Sequence, residues 1–154
     1  MGAYYLDSSA LVKRYVQERG TGWVSMLTSV HSGHETFVAL VTGVEVVSAV
    51  ARQARAGRFS PQDASAIIQA FQNHFFSQYR VVLTVPAIVQ QAMDLAQRHG
   101  LRGYDAIQLA SALAVQGELA TYGAEPLVFV CSDHELNSAA QAEGLRVENP
   151  EMYA

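Results

Sequence analysis

Apolar residues fall along this chain in two kinds of run. Short, nearly unbroken runs at residues 3–6, 36–41, 80–83 and 127–131 are too short for helices and predict buried strands, with a last short strand at 145–147. Longer stretches between them carry apolar residues three and four apart. The first predicts a helix that follows Ser8-Ser9, includes Leu11 and Val16, and stops at Gly20. A short helix is expected at 23–27. A third is expected at 44–55, where Val44, Val47, Val50 and Ala51 share a face despite the β-branched content. Ser60-Pro61-Gln62-Asp63 joins a cap, a first-turn proline and an acidic first turn, and opens a helix to about Ser77. Pro86 opens another that ends by Gly100. The alanine-rich stretch 104–119 is helical, with Ile107, Ala110, Leu113 and Ala114 on one side, and a last helix runs from Asp133 to about Glu143.

Strands that alternate with helices, and that are apolar throughout, predict an α/β fold with a mostly parallel sheet covered on both faces. No linker, repeat or low-complexity tract divides residues 1–154, so a single domain is expected. In such a sheet, ligands bind beyond the carboxyl ends of the strands. That makes the residues closing each strand the first candidates for chemistry.

Composition narrows the classes. Half of the 154 residues are hydrophobic, which excludes disorder. The one cysteine, Cys131, has apolar neighbours and predicts a buried thiol in a reducing cytoplasm. No signal-peptide pattern and no membrane span are expected. Fourteen acidic against ten basic residues leave a formal charge of −4. This excludes a polybasic binder of nucleic acid, but not an enzyme whose acids surround metal ions.

Asp7 and Asp133 each close an apolar strand and precede a helix. Glu45 is expected in the first turn of the helix after the second strand, and Asp105 in the first turn of the Tyr104 helix. Four carboxylates on one rim would repel without cations, and hard oxygen donors in that number suit Mg²⁺ or Mn²⁺, not zinc. Each also has a structural explanation. Asp7 can cap a helix, Thr42 with Glu45 and Ser132 with Glu135 match capping boxes, and Asp105 and Asp133 suit the positive end of a helix dipole. Ser9 and Ser132 can support a ligating carboxylate or a metal-bound water, or serve as caps. Nine of the ten basic residues are arginines, whose planar fork suits phosphate. Arg52, two turns from Glu45 on one helical face, is the first phosphate candidate, with Arg14 beside it. Arg55 and Arg58 fit a solvated helix face equally well. The five histidines form no site, and no phosphate-binding loop or nucleophile elbow is present.

These residues carry a resemblance. Tyr5-Leu6-Asp7-Ser8-Ser9-Ala10-Leu11-Val12-Lys13 resembles the opening of a PIN domain, in particular of the VapC-type toxins. Glu45-Val46-Val47-Ser48-Ala49-Val50-Ala51-Arg52 is similar to their second motif. Tyr104-Asp105-Ala106-Ile107-Gln108-Leu109-Ala110 is similar to the third, and Phe129-Val130-Cys131-Ser132-Asp133 with its tail to Asn149-Pro150 to the fourth. The resemblance spans essentially the whole chain. It implies a three-layer α/β/α sandwich and a Mg²⁺- or Mn²⁺-dependent endoribonuclease leaving 5′-phosphate and 3′-hydroxyl ends, with Asp7, Glu45, Asp105 and Asp133 as the acids. Some members carry a further acid two positions from the last of these; the two such positions here hold Cys131 and Glu135, and the resemblance leaves the part of Glu135 open. It further implies a homodimer, a small antitoxin partner, operator DNA bound through that complex, and structured RNA such as tRNA or rRNA as substrate. A stand-alone PIN nuclease and a catalytically silent binding protein of the same fold are the alternatives. An aspartyl phosphohydrolase fits less well, since Ser9 stands where its second Asp would be.

Overall fold

A computed structural model describes residues 1–154. Its centre is a five-stranded sheet in the order β3-β2-β1-β4-β5, parallel at every pairing. The strands are β1 (Ala3–Leu6), β2 (Glu35–Ala39), β3 (Arg80–Val82), β4 (Val128–Val130) and β5 (Arg146–Glu148). Seven α-helices cover it: α1 (Ser8–Leu11), α2 (Thr21–Thr28), α3 (Leu40–Arg55), α4 (Pro61–Ser77), α5 (Pro86–His99), α6 (Gly103–Thr121) and α7 (His134–Ala142).

Strands β1 to β4 each feed two cores, and the edge strand β5 gives only Val147 to one of them. Tyr5, Ala39 and Phe129 pack with α5, α6 and α7 on one face. Leu6, Val38 and Val130 pack with α1 to α4 on the other. Successive side chains on a strand point to opposite faces, so an apolar strand at every position is what a sheet with two covered faces requires. The result is the α/β/α sandwich. In the centre Tyr5 and Phe129 lie stacked, ring centroids 5.7 Å apart.

Local signals placed two helices closely. Ser60 caps α4 by accepting from Asp63 N–H at 3.0 Å, with Pro61 in the first turn. Pro86 opens α5, and Gly100 closes it in the left-handed conformation at φ 68°. Others differ from the expectation. The first helix is one α turn followed by a 3₁₀ turn at Val12–Arg14, and does not reach Gly20. Buried Lys13 bridges Glu18 and Glu151 there. Helix α3 begins at Leu40, directly on the end of β2, so Glu45 lies in its second turn. The Thr42–Glu45 capping box does not form, because Thr42 Oγ1 is inside the helix and accepts from Gln108. The single apolar face expected for α6 is also too narrow. Gln108, Leu109, Ala110, Ser111 and Ala112 are consecutive and all buried, since α6 packs against the sheet, α5 and α7 together.

Gly20 precedes α2 at φ 93°, and a Cβ there would lie 2.9 Å from the carbonyl carbon of Pro150 and closer still to its oxygen. Gly20→Ala therefore carries a left-handed penalty of about 1–2 kcal/mol and expels the C-terminal turn Pro150–Met152. The expected result is a lower Tm together with faster amide exchange at the C-terminus. An unchanged melt would mean that the turn is not held there.

Candidate active site

Chain order reverses between β1 and β4. Strands β2 and β3 extend the sheet on one side of β1, and β4 and β5 lie on the other. A reversal of this kind opens a crevice beyond the carboxyl ends of the two strands. Asp7 follows β1, and Asp133 lies three residues beyond β4, so both arrive at it.

Asp7 is 3% exposed. Its Oδ1 accepts from Ala10 N–H at 3.0 Å, which caps α1, and from Ser9 Oγ at 2.7 Å. Ser9 Oγ in turn accepts the Ser132 N–H at 3.1 Å, tying the segments after β1 and β4 together. Ser132 thus meets Ser9 through its backbone. Burial raises the Asp7 carboxyl from an ordinary 3.8 to about 6, against the lowering influence of Ser9, Cys131 and the Ala10 amide; the charge of Asp105 raises it further. Cys131 is buried, and its Sγ accepts from Asp133 N–H at 3.3 Å. Burial and then the Asp7 charge push this thiol well above its usual range, so it stays protonated.

Asp133 caps α7. Its Oδ1 accepts from Glu135 N–H at 2.8 Å and Leu136 N–H at 3.2 Å. The Ser132–Glu135 capping box is displaced by this arrangement. Asp105, in the first turn of α6, is the electrostatic neighbour of all the others. Its charge raises the carboxyls of Asp7 and Glu45. Its own is raised by burial first and then by Asp133, with Arg102 opposing and Glu135 adding.

Glu45 is held by a residue that the motifs pass over. Gln108 is fully buried. It donates from Nε2 to Glu45 Oε1 at 2.7 Å and to Thr42 Oγ1 at 2.9 Å, while its Oε1 accepts from Tyr5 OH at 2.6 Å. The second strand's helix, the central strand and α6 therefore meet at one amide. Burial is the main cause raising the Glu45 carboxyl; the hydrogen bonds of Gln108 and Ser8 oppose it.

The two arginine candidates separate. Arg14 donates to Tyr79 OH at 2.7 Å and Gln78 Oε1 at 3.2 Å, and its guanidinium lies 5.7 and 5.8 Å from the Tyr15 and Tyr79 ring centroids. It is committed to holding α4 and β3 against the first turns. Arg58 is likewise spent, on Gln17 O and Gln53. Arg52 is exposed, makes no ion pair, and lines a cleft of about 510 Å³ with Ser8, Ser9, Glu45 and Tyr104. Among the histidines, His99 pairs with Glu143 at 2.7 Å, away from this edge.

The four acids thus share one edge and feel one another's charge, yet no group of three or more His, Cys, Asp or Glu side chains is set closely enough to hold a metal ion. Two of the acids each spend one oxygen within the protein: Asp133 on the amides of α7 and Glu45 on Gln108. In chemical kind the donors fit a hard cation. All are carboxylates, three are raised by burial and mutual repulsion, and the nearby sulfur is a neutral thiol.

No family model matches the chain. Two ribonucleases of Mycobacterium tuberculosis do. VapC45 of strain CDC 1551 and VapC49 of strain H37Rv are each 32% identical over 148 residues, covering 96% of this chain and 95% of theirs. The chain belongs to the VapC-type, PIN-domain toxin family. The general ribonuclease and toxin function of VapC proteins is therefore its functional class. Solved structures bear out the PIN-like sandwich at lower identity. PAE2754 from Pyrobaculum aerophilum superposes with a TM-score of 0.64 at 22% identity, covering 97% of this chain and 90% of its own. FitAcB from Neisseria gonorrhoeae gives 0.62 at 16%, covering 96% and 97%. VapBC2 from Rickettsia felis, bound to a DNA fragment from its promoter, gives 0.60 at 14%, covering 96% and 98%.

Proposed function

We propose that this VapC-type chain is a divalent-metal-dependent endoribonuclease and the toxin of a toxin–antitoxin pair. The observation that carries the reading is the convergence of Asp7, Glu45, Asp105 and Asp133 on the crevice between β1 and β4, in a chain aligned end to end with two ribonucleases. When bound, Mg²⁺ or Mn²⁺ supplies a water of lowered pKa and neutralises charge on the phosphoryl oxygens.

The chain's own residues do the rest. Asp7 and Asp105 would be the principal ligands of the ion. Ser9 and Ala10 N–H fix one Asp7 oxygen. Glu45, fixed through Gln108, and Asp133, fixed through the amides of α7, would hold it directly or through water. Arg52 contacts a substrate phosphate from the cleft it lines with Ser9 and Glu45. In-line attack of water leaves a 5′-phosphate and a 3′-hydroxyl.

A protein partner is supported by an apolar groove of about 500 Å³ between α3 and α4, floored by Phe71 and Phe75 and edged by Val44 and the 81%-exposed Phe76. A small antitoxin or a second copy of the chain would cover such a surface. Operator DNA would then be met through the pair, as VapBC2 meets its promoter fragment. No helix is long and apolar enough to cross a membrane.

The test is cleavage-site mapping on total RNA with Mn²⁺, with EDTA, and with Asp105→Asn. Discrete cuts with 5′-phosphate ends are expected with Mn²⁺ alone, and both the chelator and the substitution should remove them. Cleavage that persists in EDTA would overturn the metal reading, and cleavage unchanged in Asp105→Asn would overturn the site.

A further inference from the structure

Tyr104 is 60% exposed at the start of α6, immediately before Asp105. A lone exposed tyrosine means little, but this one stands where two clefts meet. The cleft of about 510 Å³ that holds Arg52 and a second of about 490 Å³ that holds Arg102 share two lining residues, Glu45 and Tyr104. An acid of the candidate site and an accessible aromatic ring thus form the common wall of both.

Both arginines at this wall are free. Arg52 and Arg102 are exposed, and neither makes an ion pair or a side-chain hydrogen bond; Arg55 and Arg146 are equally free but line neither cleft, and Arg14, Arg19, Arg58, Arg80 and Arg98 are engaged within the protein. One uncommitted guanidinium therefore stands in each cleft, with the ring and Glu45 between them. Spaced cations suit successive phosphates of a strand, and an accessible ring among cations is the arrangement on which unpaired bases stack.

We propose that Tyr104 is a nucleobase platform, on which an unpaired RNA base beside the cleaved phosphate stacks while Arg52 and Arg102 hold the flanking phosphates. This rests on the ribonuclease reading above and specifies how the substrate is seated. A paired base cannot offer its face to the ring, so the platform selects strands that can open at the cut. The phenol oxygen plays no part in stacking. The ring alone is required.

The experiment measures anisotropy of a fluorescein-labelled ten-nucleotide unstructured RNA in low-salt EDTA buffer, alongside Mn²⁺-dependent cleavage of the same RNA. Tyr104→Ala should weaken binding about tenfold, the loss expected for one stacked base, and raise KM more than it lowers kcat. Tyr104→Phe should bind within about twofold of wild type. In a series of RNAs with one abasic site moved along the strand, one position should abolish the difference between wild type and Tyr104→Ala. The residue is exposed, so both variants should melt like wild type. Equal binding of Tyr104→Ala and wild type to intact RNA overturns the proposal, as does a loss that no abasic position removes. Normal RNA binding coupled to loss of a purified antitoxin would assign the ring to a protein instead, and also overturns it. Failure of the ribonuclease reading shows separately, as total RNA left uncut by the wild-type protein with Mn²⁺.

Discussion

Asp7→Asn should raise the stability of the metal-free protein at neutral pH while removing its RNA cleavage. The reason for the first effect is the burial of a carboxylate whose pKa stands at about 6 in the fold against an ordinary 3.8. Well below pH 3.8, Asp7 is protonated in folded and unfolded chains alike and contributes no pH-dependent penalty. As pH rises from 3.8 to 6, the unfolded chain releases its proton first, so this group erodes stability across that window and its cost is complete above 6. The difference corresponds to about 3 kcal/mol. Asparagine offers an Oδ1 to Ala10 N–H and Ser9 Oγ but carries no charge beside Asp105. Denaturation in EDTA should therefore show the variant ahead of wild type by up to about 3 kcal/mol at pH 7.5 and equal to it near pH 3.5. With Mn²⁺ the order should reverse, because only wild type gains a cation against its charges. Cleavage should fall by more than about a hundredfold, since even residues that merely orient metal ligands cost ten- to a hundredfold. A variant that is destabilised in EDTA, or that still cleaves, would dismiss Asp7 as the buried acid of the site.

The same residue shows what a one-dimensional reading can and cannot reach. Asp7 and Asp133 were visible because an apolar strand ends at each, and a parallel sheet sends all such ends to one edge. The caps of α4 and the limits of α5 were visible because proline, serine and glycine act within a few residues of themselves. Helix α3 begins at Leu40, ahead of the Thr42–Glu45 pair read as its cap, and Thr42 meets its partner 66 positions away, where no local pattern reports it. Arg14 looked available beside Asp7, but Gln78 and Tyr79 reach it only once α4 has folded back. The role of Asp133 as a cap and its place at the crevice proved compatible, since the α7 amides bond Oδ1. Gln108 is the clearest omission. It lies in a quoted motif but drew no role from it, and its standing depends on residues 5, 42 and 45 meeting in space.

Gln108→Leu should accordingly lower stability and function together, with the opposite sign in stability from Asp7→Asn. Leucine matches the volume of glutamine closely enough to leave no large cavity. It supplies neither the acceptor for Tyr5 OH nor the donors for Thr42 Oγ1 and Glu45 Oε1. Tyr5 and Thr42 are fully buried, so each hydroxyl left without its partner costs about 1–3 kcal/mol, and the expected loss is about 2–5 kcal/mol. Glu45, released from Nε2, is free to rotate, and turnover with Mn²⁺ should fall ten- to a hundredfold. A double variant separates the two consequences. Adding Tyr5→Phe removes one stranded hydroxyl and should restore about 1 kcal/mol or more of the stability lost in Gln108→Leu. Turnover should not return, because phenylalanine does nothing for Glu45. Parallel measurement of Mn²⁺ affinity by calorimetry should show the same split, weakened in both variants. Recovery of turnover along with stability would mean that Gln108 matters only to the packing of α6 on the sheet, and that the orientation of Glu45 is set by something else.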